Sequence, residues 1–168
     1  MRKLTVTVLV VFITVGITCA QSKTVADFHK KYKDDRDATL VQLNGGLFKL
    51  LASIASYDVD DEDAQVIARI SDNIRSMDIL SVPLFDSGLT PAEFNDMRDR
   101  LKDEKYEELM EIREGRDKVS FLAQGGSNEV RNMVVLIREE ENAVVMNVNG
   151  TLDMKDLAYL AKHGKKFH

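Results

Sequence analysis

Apolar residues along the chain recur with helical spacing in some stretches and with strand-like alternation or continuity in others. The helical stretches predict helices over residues 24–33, 47–56, 64–70, 90–113 and 153–162. The strand-like stretches predict strands over residues 38–43, 74–82, 118–124, 129–138 and 143–149. Because short polar turns separate the last three strands, we expect them to form an antiparallel β-meander.

Two of the predicted helices carry distinctive signals. In the segment 47–56, four apolar residues share one helical face and predict a stripe that packs on the core: Leu47, Leu50, Leu51 and Ile54. Thr90 precedes a proline and stands three residues before a glutamate, which is the pattern of a capped helix start. We expect Gly115 to end that helix, after a bend near residues 103–105.

These elements predict an α+β fold. We expect an antiparallel sheet of about five strands with a C-terminal β-meander, and helices packed mainly on one face as a two-layer sandwich. The strand that contains Met133 to Ile137 is apolar on both sides, so its second face is either covered or exposed as an apolar patch. We assign Met133, Val135 and Val145 to this candidate interaction face. Either the N-terminal helix or the tail covers it, or it binds a protein partner or a second copy of the chain.

Residues 1–20 have the three parts of a secretory signal. Arg2 and Lys3 are followed by an uncharged, mainly apolar run and then by small residues up to Ala20. We therefore expect cleavage before Gln21, a single domain at residues 21–168, and a periplasmic or envelope-associated location. Cys19 leaves a second interpretation open, in which a lipidated cysteine anchors the protein in the outer membrane. The residues before it match a lipoprotein signal poorly.

Charge and cysteine content exclude several classes of function. The net charge of −5 becomes −7 when Arg2 and Lys3 leave with the signal, and the sequence shows no basic stripe. Binding to nucleic acid or to an anionic membrane requires clustered Lys and Arg, so neither is expected. Cys19 is the only cysteine, and its removal also excludes disulfides, thiolate zinc sites and a cysteine nucleophile from the mature domain.

No residue constellation predicts a catalytic, cofactor or metal site. The histidines, His29, His163 and His168, do not form a metal-ligand pair at helical spacing. The acidic run 58–63 lacks the glycine and the final glutamate of an EF-hand, because Asp63 and Arg69 stand at those positions. The carboxylates of that run are better explained as a helix start.

Several segments together resemble a known family of small exported proteins. The matching blocks are Ala38 to Leu43 with the helix after it, Tyr106-Glu107-Glu108-Leu109-Met110, the strand around Val134 to Ile137, and Val148 to Leu152. In order and spacing they are similar to the domain-of-unknown-function family numbered 4252, mainly from Bacteroidetes-type bacteria. The resemblance runs from about Phe28 to Leu160. It implies an envelope location, often as a lipoprotein, a single α+β domain, and a genetic setting linked to extracytoplasmic-function sigma factors. It implies no activity and no catalytic residue.

These observations favour a non-catalytic exported protein, an interaction or signalling-accessory domain of the cell envelope. Its partner is an unidentified protein or another copy of the chain, and it contacts a membrane only if Cys19 is lipidated. Two alternatives stay open. One is an enzyme whose site is assembled from distant residues, and the other is a structural subunit that self-associates through its sheet.

Overall fold

A computed structural model of the chain describes residues 22–57, 61–84 and 86–163. The export signal, Cys19 and His168 lie outside the described residues. The described helices are α1 (Lys23–Tyr32), α2 (Gly45–Ala55), α3 (Glu62–Asn73), α4 (Pro91–Asp103) and α5 (Met154–His163). The described strands are β1 (Thr39–Asn44), β2 (Ile74–Pro83), β3 (Glu107–Glu114), β4 (Asp117–Gly125), β5 (Glu129–Arg138) and β6 (Asn142–Asp153).

The six strands form one open antiparallel sheet in the order β1-β2-β6-β5-β4-β3. Strands β3 to β6 are consecutive neighbours, so the predicted C-terminal meander is confirmed, as is the α+β class. Strand β6 lies between β5 and β2, and it joins the meander to the β1–β2 pair. The sheet has six strands where about five were expected, because β3 was predicted as part of a helix.

Helices lie on both faces of the sheet, and not mainly on one face as a two-layer sandwich would require. We call the first the α1/α4 face, because its main core is built from α1, α4 and strand residues such as Leu80, Leu122 and Val134. On the opposite face, a smaller cluster combines Phe48 of α2 with Ile74, Val148 and Leu152, and residues of α3 and α5 pack against it. The α1/α4 layer therefore covers much of its face, whereas the other helices cover one end of theirs.

Helix α2 turns its most apolar stripe outward. The predicted core residues Leu47, Leu50, Leu51 and Ile54 are all exposed, while Phe48 and Ala52 face the interior. Helical periodicity identifies an apolar face but does not say which side of the helix meets the sheet. The prediction that this stripe belongs to the core is therefore wrong.

Helix α4 begins where its pattern predicted and ends ten residues earlier than expected. The Thr90 hydroxyl accepts a hydrogen bond from the Glu93 amide at 3.2 Å, which confirms the cap. At the other end, the Tyr106 amide donates to the Leu101 carbonyl and the Lys105 amide to the Lys102 carbonyl, both at 3.0 Å. This is a Schellman motif, with Lys105 at the left-handed position (φ 65°) that glycine usually occupies.

Candidate interaction surface

Strand register sorts the side chains of the meander into the two faces, because paired residues of antiparallel strands point the same way. Two rows cross β3, β4, β5 and β6 on the face opposite α1 and α4. One row is Ile112, Val119, Ile137 and Val144, and the other is Met110, Phe121, Val135 and Met146. We call these eight apolar residues the open sheet face. Strand spacing gives it dimensions of about 14 Å by 7 Å between Cα atoms.

Most of the open sheet face reaches the surface. Met110 and Ile112 are 46% and 48% exposed, and the other members except Val135 are partly exposed. Val135, in the middle of its row, is only 4% exposed. The helices on this side pack instead over the next row, which contains Met133 and Val148. The open sheet face is therefore an apolar surface in which only the central residue, Val135, is buried.

In the middle of β3, Glu108 and Glu111 are directed toward α4, whereas Met110 and Ile112 are directed toward solvent. Glu111 is 2.8 Å from Arg98 of α4 and 2.8 Å from Lys118 of β4. Lys102 of α4 lies 2.9 Å from Glu108. The Lys118 ammonium, with help from other hydrogen bonds, lowers the pKa of the Glu111 carboxyl to about 2. An antiparallel sheet usually packs its apolar side and solvates its polar side. At β3 this arrangement is inverted.

Acidic side chains border the open sheet face. Glu114 and Asp117 are paired across the β3–β4 hairpin, two residues beyond the pair of Ile112 and Val119, so they share its face. Glu107 pairs with Ala123 at the other end of β3, on the same face. All three carboxylates are exposed. The surface therefore combines an apolar centre with negative charge along its edge.

The structure separates the residues assigned to the candidate interaction face. Met133 and Val135 are on the face opposite α1 and α4, and Met133 packs against the cluster around Phe48. Val145 is fully buried on the α1/α4 face, because it pairs with Leu136 and not with Val135. The assignment of Val145 to the same face as Met133 and Val135 is therefore wrong. Alternation within a strand cannot reveal which residue of the next strand stands opposite.

Sequence reasoning missed Met110 and Ile112, the most exposed members of this surface. Glutamate, leucine and methionine favour helices, so residues 107–113 continued the helical pattern of α4. A signal was present in the alternation of Met110 and Ile112 with Glu111 and Arg113, followed by a turn at Gly115. To predict β3 from the sequence, one would have had to recognise that helix α4 ends near Lys105.

The α1/α4 face of the sheet also carries polar side chains, one of them fully buried. Asn147 is fully buried, and neither its amide oxygen nor its amide nitrogen has a hydrogen-bond partner within the described part of the chain. Asp78 is its neighbour in register on β2. His29 of α1 is half-buried, and burial lowers the pKa of its imidazole while the Asp78 carboxylate opposes the shift.

The other clefts and side-chain clusters described for residues 22–57, 61–84 and 86–163 show no catalytic arrangement. A cleft of about 490 Å³ lies where α2 and β2 begin, lined by Gly45, Gly46, Lys49, Asp72, Asn73, Ile74, Arg75 and Thr151. It combines a single carboxylate with two cations and has no nucleophile paired with a base. Across residues 22–57, 61–84 and 86–163, no group of three or more His, Cys, Asp or Glu is placed to hold a metal ion. Asp61 caps α3 by accepting from the Asp63 and Ala64 amides.

None of the helices in the described ranges is long and apolar enough to cross a membrane. Comparison of the chain with curated proteins and with solved structures finds no match. Residues 32–160 match the family described as "Domain of unknown function (DUF4252)", from the end of α1 into α5. That span contains the whole sheet, with its open sheet face, and the exposed apolar stripe of α2. The chain therefore belongs to the DUF4252 family, which confirms the resemblance seen in its sequence.

Proposed function

We propose that this protein is a non-catalytic, exported interaction domain that binds a protein partner on the open sheet face. The observation that carries the proposal is the inversion at β3. Ion pairs hold Glu108 and Glu111 against α4. Met110 and Ile112, on the other side of the strand, are therefore directed to solvent. Exposed apolar patches of a few hundred Å² on a soluble domain often mark a contact site.

The chemistry of the surface indicates the partner. Its eight central side chains are apolar, and Glu107, Glu114 and Asp117 stand at its border. A complementary partner presents apolar side chains flanked by Lys or Arg, because opposite charges at an interface rim favour encounter and set orientation. Such rim attraction is screened by salt, so association should slow as ionic strength rises.

Export is part of the proposal and is supported by the sequence of residues 1–20. The basic start, the apolar run and the small residues before Gln21 match a cleavable signal. The domain then acts as residues 21–168 in the periplasm or at the envelope. Intact-mass measurement of the protein from its native host should give an N-terminus at Gln21. A mass that includes a lipidated Cys19 would instead show an anchored protein.

The binding surface is tested by site-specific photocrosslinking in cells that make the full chain with its own signal. A photoreactive residue in place of Ile112 should give a discrete crosslinked product, whereas one in place of Asn95 on α4 should not. Mass spectrometry of the product should show an apolar segment with adjacent Lys or Arg.

Charge substitutions test the same surface independently. Phe121→Glu should abolish the crosslink from position 112, and Ala92→Glu, an exposed change on the α1/α4 side, should leave it intact. Equal crosslinking from positions 112 and 95, or persistence of the product in Phe121→Glu with an unchanged melting temperature, would refute the assignment.

A further inference from the structure

The two edges of the open sheet differ in a way that bears on self-association. Strand β3 has charged residues at five of its eight positions and a bulge between Glu108 and Met110. Both devices are typical of edge strands that avoid pairing with another chain. Strand β1, with the sequence Thr-Leu-Val-Gln-Leu-Asn, has no charge and no proline, and its register with β2 is continuous. The β1 edge is therefore unprotected against strand addition.

The exposed stripe of α2 lies beside that edge. Helix α2 contacts β1 and β2, whereas α3 contacts β2 and β6, so α2 is the outer helix on this side. Lys49, Ala52, Ser53 and Ser56 of α2 line a groove with α3. The stripe residues Leu47, Leu50, Leu51 and Ile54 lie on the other side of the helix, which is the side toward the β1 edge. Leu50 and Ile54 are 57% and 59% exposed.

We propose that a second copy of the chain pairs with β1 in antiparallel orientation about a two-fold axis at Val41, and that the two α2 stripes pack on each other. Residues that pair across such a junction must point to the same side of the sheet. An axis at Val41 satisfies this, because it pairs Val41 with its twin and Thr39 with Leu43. The junction would join two six-stranded sheets into one, as β-strand addition does.

Charge and shape favour a second copy over an extended peptide. The β1 edge has no charge, and the single charge of α2, Lys49, lies on the α3 side, so two acidic copies meet without like charges in contact. An extended peptide would satisfy the strand but leave the α2 stripe in water. A two-fold axis supplies a strand for β1 and an apolar helix for α2 at the same time.

The area agrees with a weak but specific dimer. Complete burial of an aliphatic side chain removes roughly 100 Å² of apolar surface. The four stripe residues with Val41 and Tyr57 are between 41% and 85% exposed, so their burial removes about 300 Å² per copy. At an apolar share of about 60%, the whole interface is on the order of 1,000 Å², which is near the lower limit for a biological dimer.

Sedimentation of residues 21–168 tests the proposal. The unsubstituted domain should be dimeric with a Kd of order 10 μM, and Leu50→Glu and Val41→Lys should be monomeric at the same concentration. Ile112→Glu, a matched change on the open sheet face, should remain dimeric. At concentrations well below the dimer Kd, all variants should keep the melting temperature of the parent, because the three positions are exposed. A monomeric parent, or a dimer that only Ile112→Glu disrupts, would overturn the proposal.

A disulfide gives a second test, because the domain without residues 1–20 has no cysteine. Across antiparallel pairs the Cα atoms are about 4.5–5.5 Å apart, within the range for a disulfide. Val41→Cys should therefore form a crosslinked dimer on mild oxidation, and Ile112→Cys should not. A disulfide at Gln42→Cys in place of Val41→Cys would keep β1 as the interface but would overturn the axis at Val41, because it pairs Val41 with Leu43. If neither β1 variant crosslinks faster than Ile112→Cys, β1 is not the interface.

Discussion

Replacement of the buried Asn147 by valine should stabilise the domain. The Asn147 side chain is fully buried on the α1/α4 face, between Asp78 and Val134 in register, and its two polar atoms lack partners among the described residues. Each unsatisfied buried donor or acceptor costs about 1–3 kcal/mol, and Asn147 has one of each. Valine suits a strand interior and removes both polar atoms, while its different shape costs up to about 1.5 kcal/mol. The expected net gain is about 2 kcal/mol.

Urea unfolding at pH 7 measures this gain directly. The midpoint should rise with an unchanged m-value, since the area exposed on unfolding stays nearly the same. For a domain of this size, about 2 kcal/mol corresponds to an increase of about 4–8 °C in melting temperature. Asn147→Asp is the matched control. It places a carboxylate beside Asp78 in the interior, so it should destabilise the domain by about 3–5 kcal/mol, and by less at pH 4, where carboxyl groups begin to protonate.

The opposite result for Asn147→Val would refute the reasoning. A loss of about 1 kcal/mol or more would mean that the amide is hydrogen-bonded in the folded protein and that its partner supports the fold. Asn147 would then be part of a polar network with Asp78 and His29, and the region under α1 would become a candidate binding site.

Three further predictions concern local features. Lys105→Gly should stabilise the domain by about 1 kcal/mol in urea unfolding, because glycine adopts the left-handed conformation of the α4 terminus without strain; a loss of stability would mean that the lysine side chain makes an essential contact. Thr90→Ala should cost about 1 kcal/mol through loss of the cap, whereas Thr90→Asp should be nearly neutral, and equal losses would contradict the capping role. Burial lowers the pKa of His29 below its ordinary 6.5, so the unfolded chain takes up a proton first and the unfolding free energy should decrease as pH falls through 6.5. His29→Gln should make this decrease shallower between pH 7 and 5, and an identical slope in both proteins would show that His29 does not titrate differently in the two states.

The sequence predicted where most helices and strands lie better than it predicted which side of each faces the core. Alternation and turn residues located β4, β5 and β6, and the cap at Thr90 identified the start of α4, because these features are local. The end of α4 was missed because Lys105 occupies a position where glycine is the recognisable signal. The orientation of α2 was missed because Leu47 to Ile54 would suit a core as well as an interface.

The candidate surface depended on information that one strand does not contain. Met133 and Val135 were correctly separated from Val134 and Leu136 by alternation, but the partner of each in β6 is set by register. That register placed Met146 beside Val135 and moved Val145 to the other face. Val135 is also buried, so a charge at Val135 would test packing and not binding. Ile112 is the informative position, and it became visible only when residues 107–114 were recognised as a strand.

The central position of β6 has a consequence for the order in which the chain can fold. Strand β6 is the last strand to be synthesised, yet it holds the β1–β2 pair to the meander. Until residues 142–153 are available, the β1–β2 pair has no further strand to join, and the apolar core against α1 stays incomplete. Pairings so distant in sequence also form slowly. In a chain of this topology the sheet can be completed only after residues 142–153 have been made, so its final assembly depends on the C-terminal part of the chain.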